Sequence, residues 1–187
     1  MALNRSLQWM CLCVVFALCF TLRVGVGGLI DATVPVVKRA DVYSDIAVNL
    51  ARGHGFVAEA GGEPIIWRAP LYPAFLAAVY ALFGEQNETG VFLTQSALDA
   101  VTAVLIFYLG TRLFGETVGL LSAVSFAVHP LSAYYSLRFL SEPLFTLAFT
   151  AVIAAWIAAV TTRRLMAYLA AGALIAVAAL VKPVALG

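Results

Sequence analysis

Long apolar runs, barely interrupted by charge, constrain this chain more than any other feature. Trp9 to Ile30 contains Arg23 as its one charged residue, and Val91 to Phe114 contains only Asp99 and Arg112. At 1.5 Å per residue, either run coiled as a helix covers the roughly 30 Å hydrocarbon core of a bilayer. Only a helix or a closed barrel satisfies its backbone there, and such runs favour the helix. Thr117 to about Leu137, Pro143 to Val160 and Leu165 to Val181 continue the pattern. Of the residues, 63% are hydrophobic and 11% charged, with a mean hydropathy of +0.98. That charged share is less than half the roughly 25% of soluble chains. The expected fold class is therefore all-α, a polytopic membrane protein of five spans. A net charge of +1 provides no basic footprint, so nucleic acid is excluded as a partner. Cys11, Cys13 and Cys19 all fall in the first run and read as packing or lipid-facing side chains, not as a disulfide or zinc framework.

The first run, preceded by Arg5, has the features of a signal peptide, but the rest of the chain is membranous too, and an uncleaved span is the better reading. From Asp31 to Glu88 the character changes: this segment holds more than half of the charged residues and reads as one water-facing loop. Inside it, Val42, Ile46, Ala47 and Leu50 have helical spacing and Gly53 is a stop, which predicts an amphipathic helix over 41–52 on the membrane surface. Leu71 to Phe83, after Pro70, is too short to span and predicts a second interfacial helix. The chain thus divides into a first span (1–30), an extracytoplasmic loop (31–90) and four further spans (91–187). Short connections make neighbouring spans antiparallel. The Arg163 and Arg164 pair in a very short loop points to a cytoplasmic N-terminus, since long loops translocate largely regardless of charge. The pattern is cut at Gly187, so an N-terminal part of a longer protein is expected.

A polar loop beside a membrane surface suits interfacial chemistry. Asp41 and Asp45 stand four apart with Tyr43 between them, a spacing that can raise one carboxylate's pKa and make a base. The plain alternative is two solvated residues on the polar side of a helix. Asp99, with Gln95 one turn before it, is an intramembrane carboxylate, for which an interhelical hydrogen bond is the expected role. His129 before Pro130 is placed to close a helix end, Tyr134 and Tyr135 suit an aromatic belt, and His54 is a loop residue between glycines. Asn87-Glu88-Thr89 fits the N-glycosylation pattern, which matters only in a eukaryotic source.

Several ordered segments carry a resemblance: Asp41-Val-Tyr43-Ser-Asp45 through Gly53-His-Gly55-Phe56, Arg68-Ala-Pro70-Leu-Tyr72-Pro73, Leu82-Phe83-Gly84, Arg112-Leu-Phe-Gly115, and Arg138-Phe-Leu-Ser-Glu142-Pro-Leu-Phe145. In this order and spacing they resemble the dolichyl-phosphate-mannose protein mannosyltransferase and aminoarabinose transferase superfamily, multispanning glycosyltransferases of the GT-C type. The resemblance implies an inverting transfer from a polyprenyl-phosphate sugar donor to a lipid, glycan or protein acceptor at the outer face of the plasma or inner membrane. It implies Asp41 as catalytic base, Glu142 as a second acid orienting the acceptor or a metal, and Arg68 as the cation on the leaving phosphate. Tyr43 and Asp45 are further substrate-binding candidates. For Arg68 the alternative is an interfacial anchor; for Glu142 it is helix capping together with Ser141. No cofactor is certain. A divalent metal would need a ligand set that is not visible, and where relatives carry a doubled Asp-Glu this chain has Asp41-Val42. A transporter or flippase built around Asp99 and Gln95, and a membrane subunit without chemistry, are the competing readings.

Overall fold

The computed structural model describes residues 5–33 and 42–182. They form α1 (Arg5–Thr33), α2 (Tyr43–Ala51), α3 (Leu71–Phe83), α4 (Glu88–Phe114), α5 (Glu116–Val128), α6 (Pro130–Leu137), α7 (Glu142–Thr162) and α8 (Leu165–Val181). Among the described residues there is no strand, only an isolated antiparallel bridge between Val57 and Pro64. The chain is an all-helical membrane protein.

Within α1, Met10–Thr33 is long and apolar enough to cross a membrane, as are α4 and α7. The expected span from Thr117 to Leu137 is not one rod, because α5 and α6 meet at a bend of 50°. Pro130 lacks an N–H and its ring blocks the preceding turn, so the helix stops at His129, whose backbone is extended (φ −66°, ψ 115°), and restarts with proline in its first turn. His129 closes the break as anticipated: its Nδ1 accepts from the Ser132 amide at 3.3 Å. Counting the bent pair as one, four spans meet the length and composition requirement. The 17 residues of α8 give about 25 Å at 1.5 Å per residue, short of the hydrocarbon core.

Helix α4 lies in the middle, against α1, α5 and α7, while α8 packs on α7. Where hydrophobic driving force between helices is absent, small residues that let backbones approach carry association. Val15 and Cys19 of α1, Ala100 and Ala103 of α4, and Ala123 and Ala127 of α5 form one such buried cluster. At the α4–α5 hairpin the approach is closest. A Cβ on Gly110 would stand 2.7 Å from Gly119 Cα, and a Cβ on Gly119 would stand 2.7 Å from the Phe107 carbonyl oxygen. Gly119→Val is therefore expected to lower stability by about 1–3 kcal/mol through overpacking. Gly172→Val, in open space on α8, should change it far less. Thermal unfolding in detergent compares the two, and equal midpoints would refute the close-packing account.

The first loop folds onto this bundle. Helix α2 starts at Tyr43, with Val42 as its N-cap, and ends at Arg52 and Gly53, the latter at φ +78°. Its apolar face does not simply lie on lipid: Tyr43, Ala47 and Val48 pack against Tyr72, Leu76, Val79 and Tyr80 of α3, with Val91 and Phe139 completing the cluster. Asn49 fixes the following turn, its Nδ2 donating to the carbonyls of Asp45, Val57 and Ala58 at 3.1, 3.2 and 2.9 Å. His54 joins it through Nδ1 and Asn49 Oδ1 at 3.1 Å. Arg52 clamps Glu85 with two bonds, of 3.1 and 2.7 Å, tying the end of α2 to the α3–α4 turn. Asn87, the first residue of the glycosylation pattern, is the N-cap of α4: its Oδ1 accepts from the Gly90 amide at 2.8 Å.

Candidate functional site

Polar side chains gather where the first loop meets the α6–α7 turn. Pro70 caps α3 and leaves Arg68 one turn before Tyr72. The Arg68 guanidinium carbon sits 4.8 Å from the centre of the Tyr43 ring and 4.6 Å from that of Trp67, and its Nη1 donates to the Tyr43 hydroxyl at 3.3 Å. Two ring faces on one guanidinium fix its plane. Tyr43 is itself held edge-on by Tyr72, ring centres 5.0 Å apart.

Tyr72 reaches across to α4. Its hydroxyl donates to Gln95 Oε1 at 2.8 Å, and Gln95 Nε2 donates to the carbonyls of Ser136 and Arg138, both at 2.8 Å. Gln95 is fully buried, so one side chain joins the first loop to the segment that follows α6. Arg138 leaves that segment along Tyr134, whose hydroxyl accepts from its Nη1 at 3.1 Å. Glu142 opens α7 and pairs with Lys182, just past α8, at 3.0 Å. Ser141, the N-cap of α7, makes no side-chain capping bond, so the expected capping role is corrected: the dipole at this helix start is met by Glu142 alone.

One turn deeper, Asp99 accepts from the Ser136 hydroxyl at 2.6 Å and lies 3.0 Å from Arg23 Nε. Arg23 is wholly buried, and its two terminal nitrogens donate to the carbonyls of His129 and Phe126, both at 2.8 Å. Those carbonyls belong to the turn that Pro130 interrupts. The packing role expected for Asp99 is what the structure shows, whereas Arg23 as its partner was missed. Its signal was present in the sequence: two lone intramembrane charges of opposite sign. Asp99, Ser132, Tyr135, Glu142 and Thr146 line a cavity of about 20 Å³, room for about one water. Asp99 is ion-paired, and Gln95 makes three hydrogen bonds. A larger apolar groove of about 470 Å³, lined by Met10, Val14, Phe107 and Leu120, contains none of the candidate site residues.

The sequence-derived candidates separate accordingly. Tyr43 and Arg68 are in contact, and Tyr43 is buried as a platform for Arg68 rather than presented to solvent. Asp45 is exposed on the outer side of α2. Glu142 is bonded to Lys182. Asp41 lies outside the described residues. Among the described residues no three His, Cys, Asp or Glu side chains converge as metal ligands.

Fold and polar cluster together define a multispanning helical membrane protein with a cationic, tyrosine-supported site at one end of its bundle. A family model described as dolichyl-phosphate-mannose-protein mannosyltransferase matches residues 67–186. The match covers more than half of the chain, so the chain belongs to this family of membrane glycosyltransferases of the GT-C type. No curated protein and no solved structure matches. Arg68, Gln95, Arg138 and Glu142 fall within the matched stretch; Asp41, Tyr43 and Asp45 precede it.

Proposed function

We propose that this protein is an inverting glycosyltransferase that moves a sugar from a polyprenyl-phosphate donor to a lipid, glycan or protein acceptor at the outer membrane face. The observation that carries this reading is the guanidinium of Arg68, oriented by Tyr43 and Trp67 at the start of the family-matched stretch. Arg138 is a second cation whose backbone carbonyl is held by Gln95, the acceptor of the Tyr72 hydroxyl. In the proposed reaction an acceptor hydroxyl attacks the anomeric carbon, and the bond from that carbon to the phosphate oxygen breaks. Negative charge then grows on the leaving phosphate, and a guanidinium fork is the group suited to receive it. Asp41 takes the acceptor's proton, and Glu142 orients the acceptor. Tyr43 contributes through Arg68, and Asp45 offers a carboxylate at the surface of the same helix.

In this reading the chain supplies residues 1–30 as first span, 31–90 as an extracytoplasmic loop bearing α2 and α3, and 91–187 as four further spans including α8, with a cytoplasmic N-terminus. Charge at Arg163 and Arg164 supports that orientation.

The test is transfer of labelled sugar from a panel of polyprenyl-phosphate sugars by membranes containing the protein. Arg68→Ala is expected to slow transfer by about 10²–10³-fold, the range for deleting one stabilising donor of a developing anion. Arg68→Lys should recover only part of this, since an ammonium keeps the charge but not the fork. Full activity of Arg68→Ala would remove the phosphate role and leave Arg68 as an interfacial anchor.

A further inference from the structure

The apolar groove of about 470 Å³ has one charged residue in its wall. Met10, Val14 and Val15 of α1, Phe107 of α4 and Leu120 of α5 make its apolar sides, and Glu116 stands at the start of α5. Its place in the bilayer follows from the helices that form it. Met10 opens the spanning stretch of α1, and α4 is joined through Gly115 alone to α5, the first arm of the bent span. The groove therefore begins where the start of one span meets the turn between two others, at the far end of α4 from Gln95. Inward it is closed by Val15, which packs with Cys19, Ala103 and Ala123. Sideways it is open, since Met10 is 56%, Val14 58% and Leu120 48% exposed. An open-sided apolar slot with its mouth at a turn between spans and its closed end inside the bundle has the layout of one acyl chain entering from the headgroup side.

The charge at the mouth selects the headgroup. Glu116 is exposed and, among the described residues, has no ion-pair partner. Arg112, one turn before it in the sequence, is drawn onto Tyr108 instead, its guanidinium carbon 5.9 Å from the ring centre. As the first residue of α5, Glu116 also suits the helix dipole, a role that leaves its oxygens able to accept from a ligand. We infer that the groove binds a phosphatidylethanolamine, its ammonium on Glu116 and one acyl chain between α1 and the α4–α5 hairpin. A primary ammonium donates N–H bonds to a carboxylate, whereas the quaternary ammonium of phosphatidylcholine has none to donate. The site requires only that these helices span the bilayer, so it stands or falls separately from the sugar chemistry.

The experiment offers the full chain, purified in mild detergent, an equimolar mixture of phosphatidylethanolamine and phosphatidylcholine with the same acyl chains. Native mass spectrometry then reads which lipid the protein retains. Wild type should retain phosphatidylethanolamine about two- to fivefold over phosphatidylcholine, the range for one ion pair near a surface. Glu116→Gln should bring the two lipids level, Val14→Trp should lower retention of both by filling the groove, and Glu59→Gln should behave as wild type. Equal retention of the two lipids by wild type would overturn the site, as would a preference that survives Glu116→Gln. Retention unchanged in Val14→Trp would overturn it too, because the lipid would then sit elsewhere. Absence of retained lipid in wild type would mean that protein, not lipid, covers the groove.

Discussion

Arg23→Leu will cost this protein about 3–5 kcal/mol, the range for removing one partner of a buried ion pair. Two separate losses combine in that variant. Asp99 keeps only the Ser136 hydroxyl as a charge-facing donor, and the carbonyls of Phe126 and His129 lose the guanidinium bonds that add to those from the amides of His129 and Ala133. Asp99→Asn should be milder, because Arg23 retains both carbonyl acceptors and the amide can still bond Ser136. Arg23→Leu with Asp99→Leu should recover part of the loss, since a buried pair replaced by apolar groups is often neutral. Heating in detergent, followed by the fraction that remains monodisperse, ranks the three variants. Equal midpoints for Arg23→Leu and wild type would show that the pair does not hold the α5–α6 bend.

Sugar transfer by Asp41→Asn is expected to fall about 10²–10⁴-fold, the usual contribution of a positioned general base. Asparagine keeps the size and one acceptor oxygen but cannot hold the proton of the attacking hydroxyl. Glu59→Gln, an exposed loop carboxylate, serves as the charge control in the same membranes and should transfer at the wild-type rate. Turnover in Asp41→Asn equal to wild type, at equal expression, would take the base role from Asp41 and direct it to Glu142. Such a result would leave the donor-phosphate role of Arg68 to be decided by its own variants.

Local signals in the sequence were read well where one residue type decides the outcome. Leu71 to Phe83 is bounded by Pro70 and Gly84, and α3 has those limits. Gly53 ends α2 because its positive φ suits a residue without a Cβ. His129 and Pro130 mark a helix end, yet the apolar run continues through them, because hydropathy is blind to a bend. Features that depend on which helix faces which were not legible. No single run indicates that Arg23 and Asp99 share a depth, or that Gln95 would meet Tyr72 on one side and two carbonyls on the other. Periodicity alone placed the apolar face of α2 on lipid, because it does not distinguish lipid from the side chains of α3 that take it up. Ser141 had the composition of a cap without the geometry.

Gln95 has a mechanical consequence. Lifting α3 away from α4 strips Gln95 of its acceptor-side bond, and a Gln95 that turns to follow Tyr72 must release Ser136 and Arg138. Each such buried group left bare costs about 1–3 kcal/mol. Gln95 thus ties the segment carrying Arg68 to the backbone of the segment carrying Arg138.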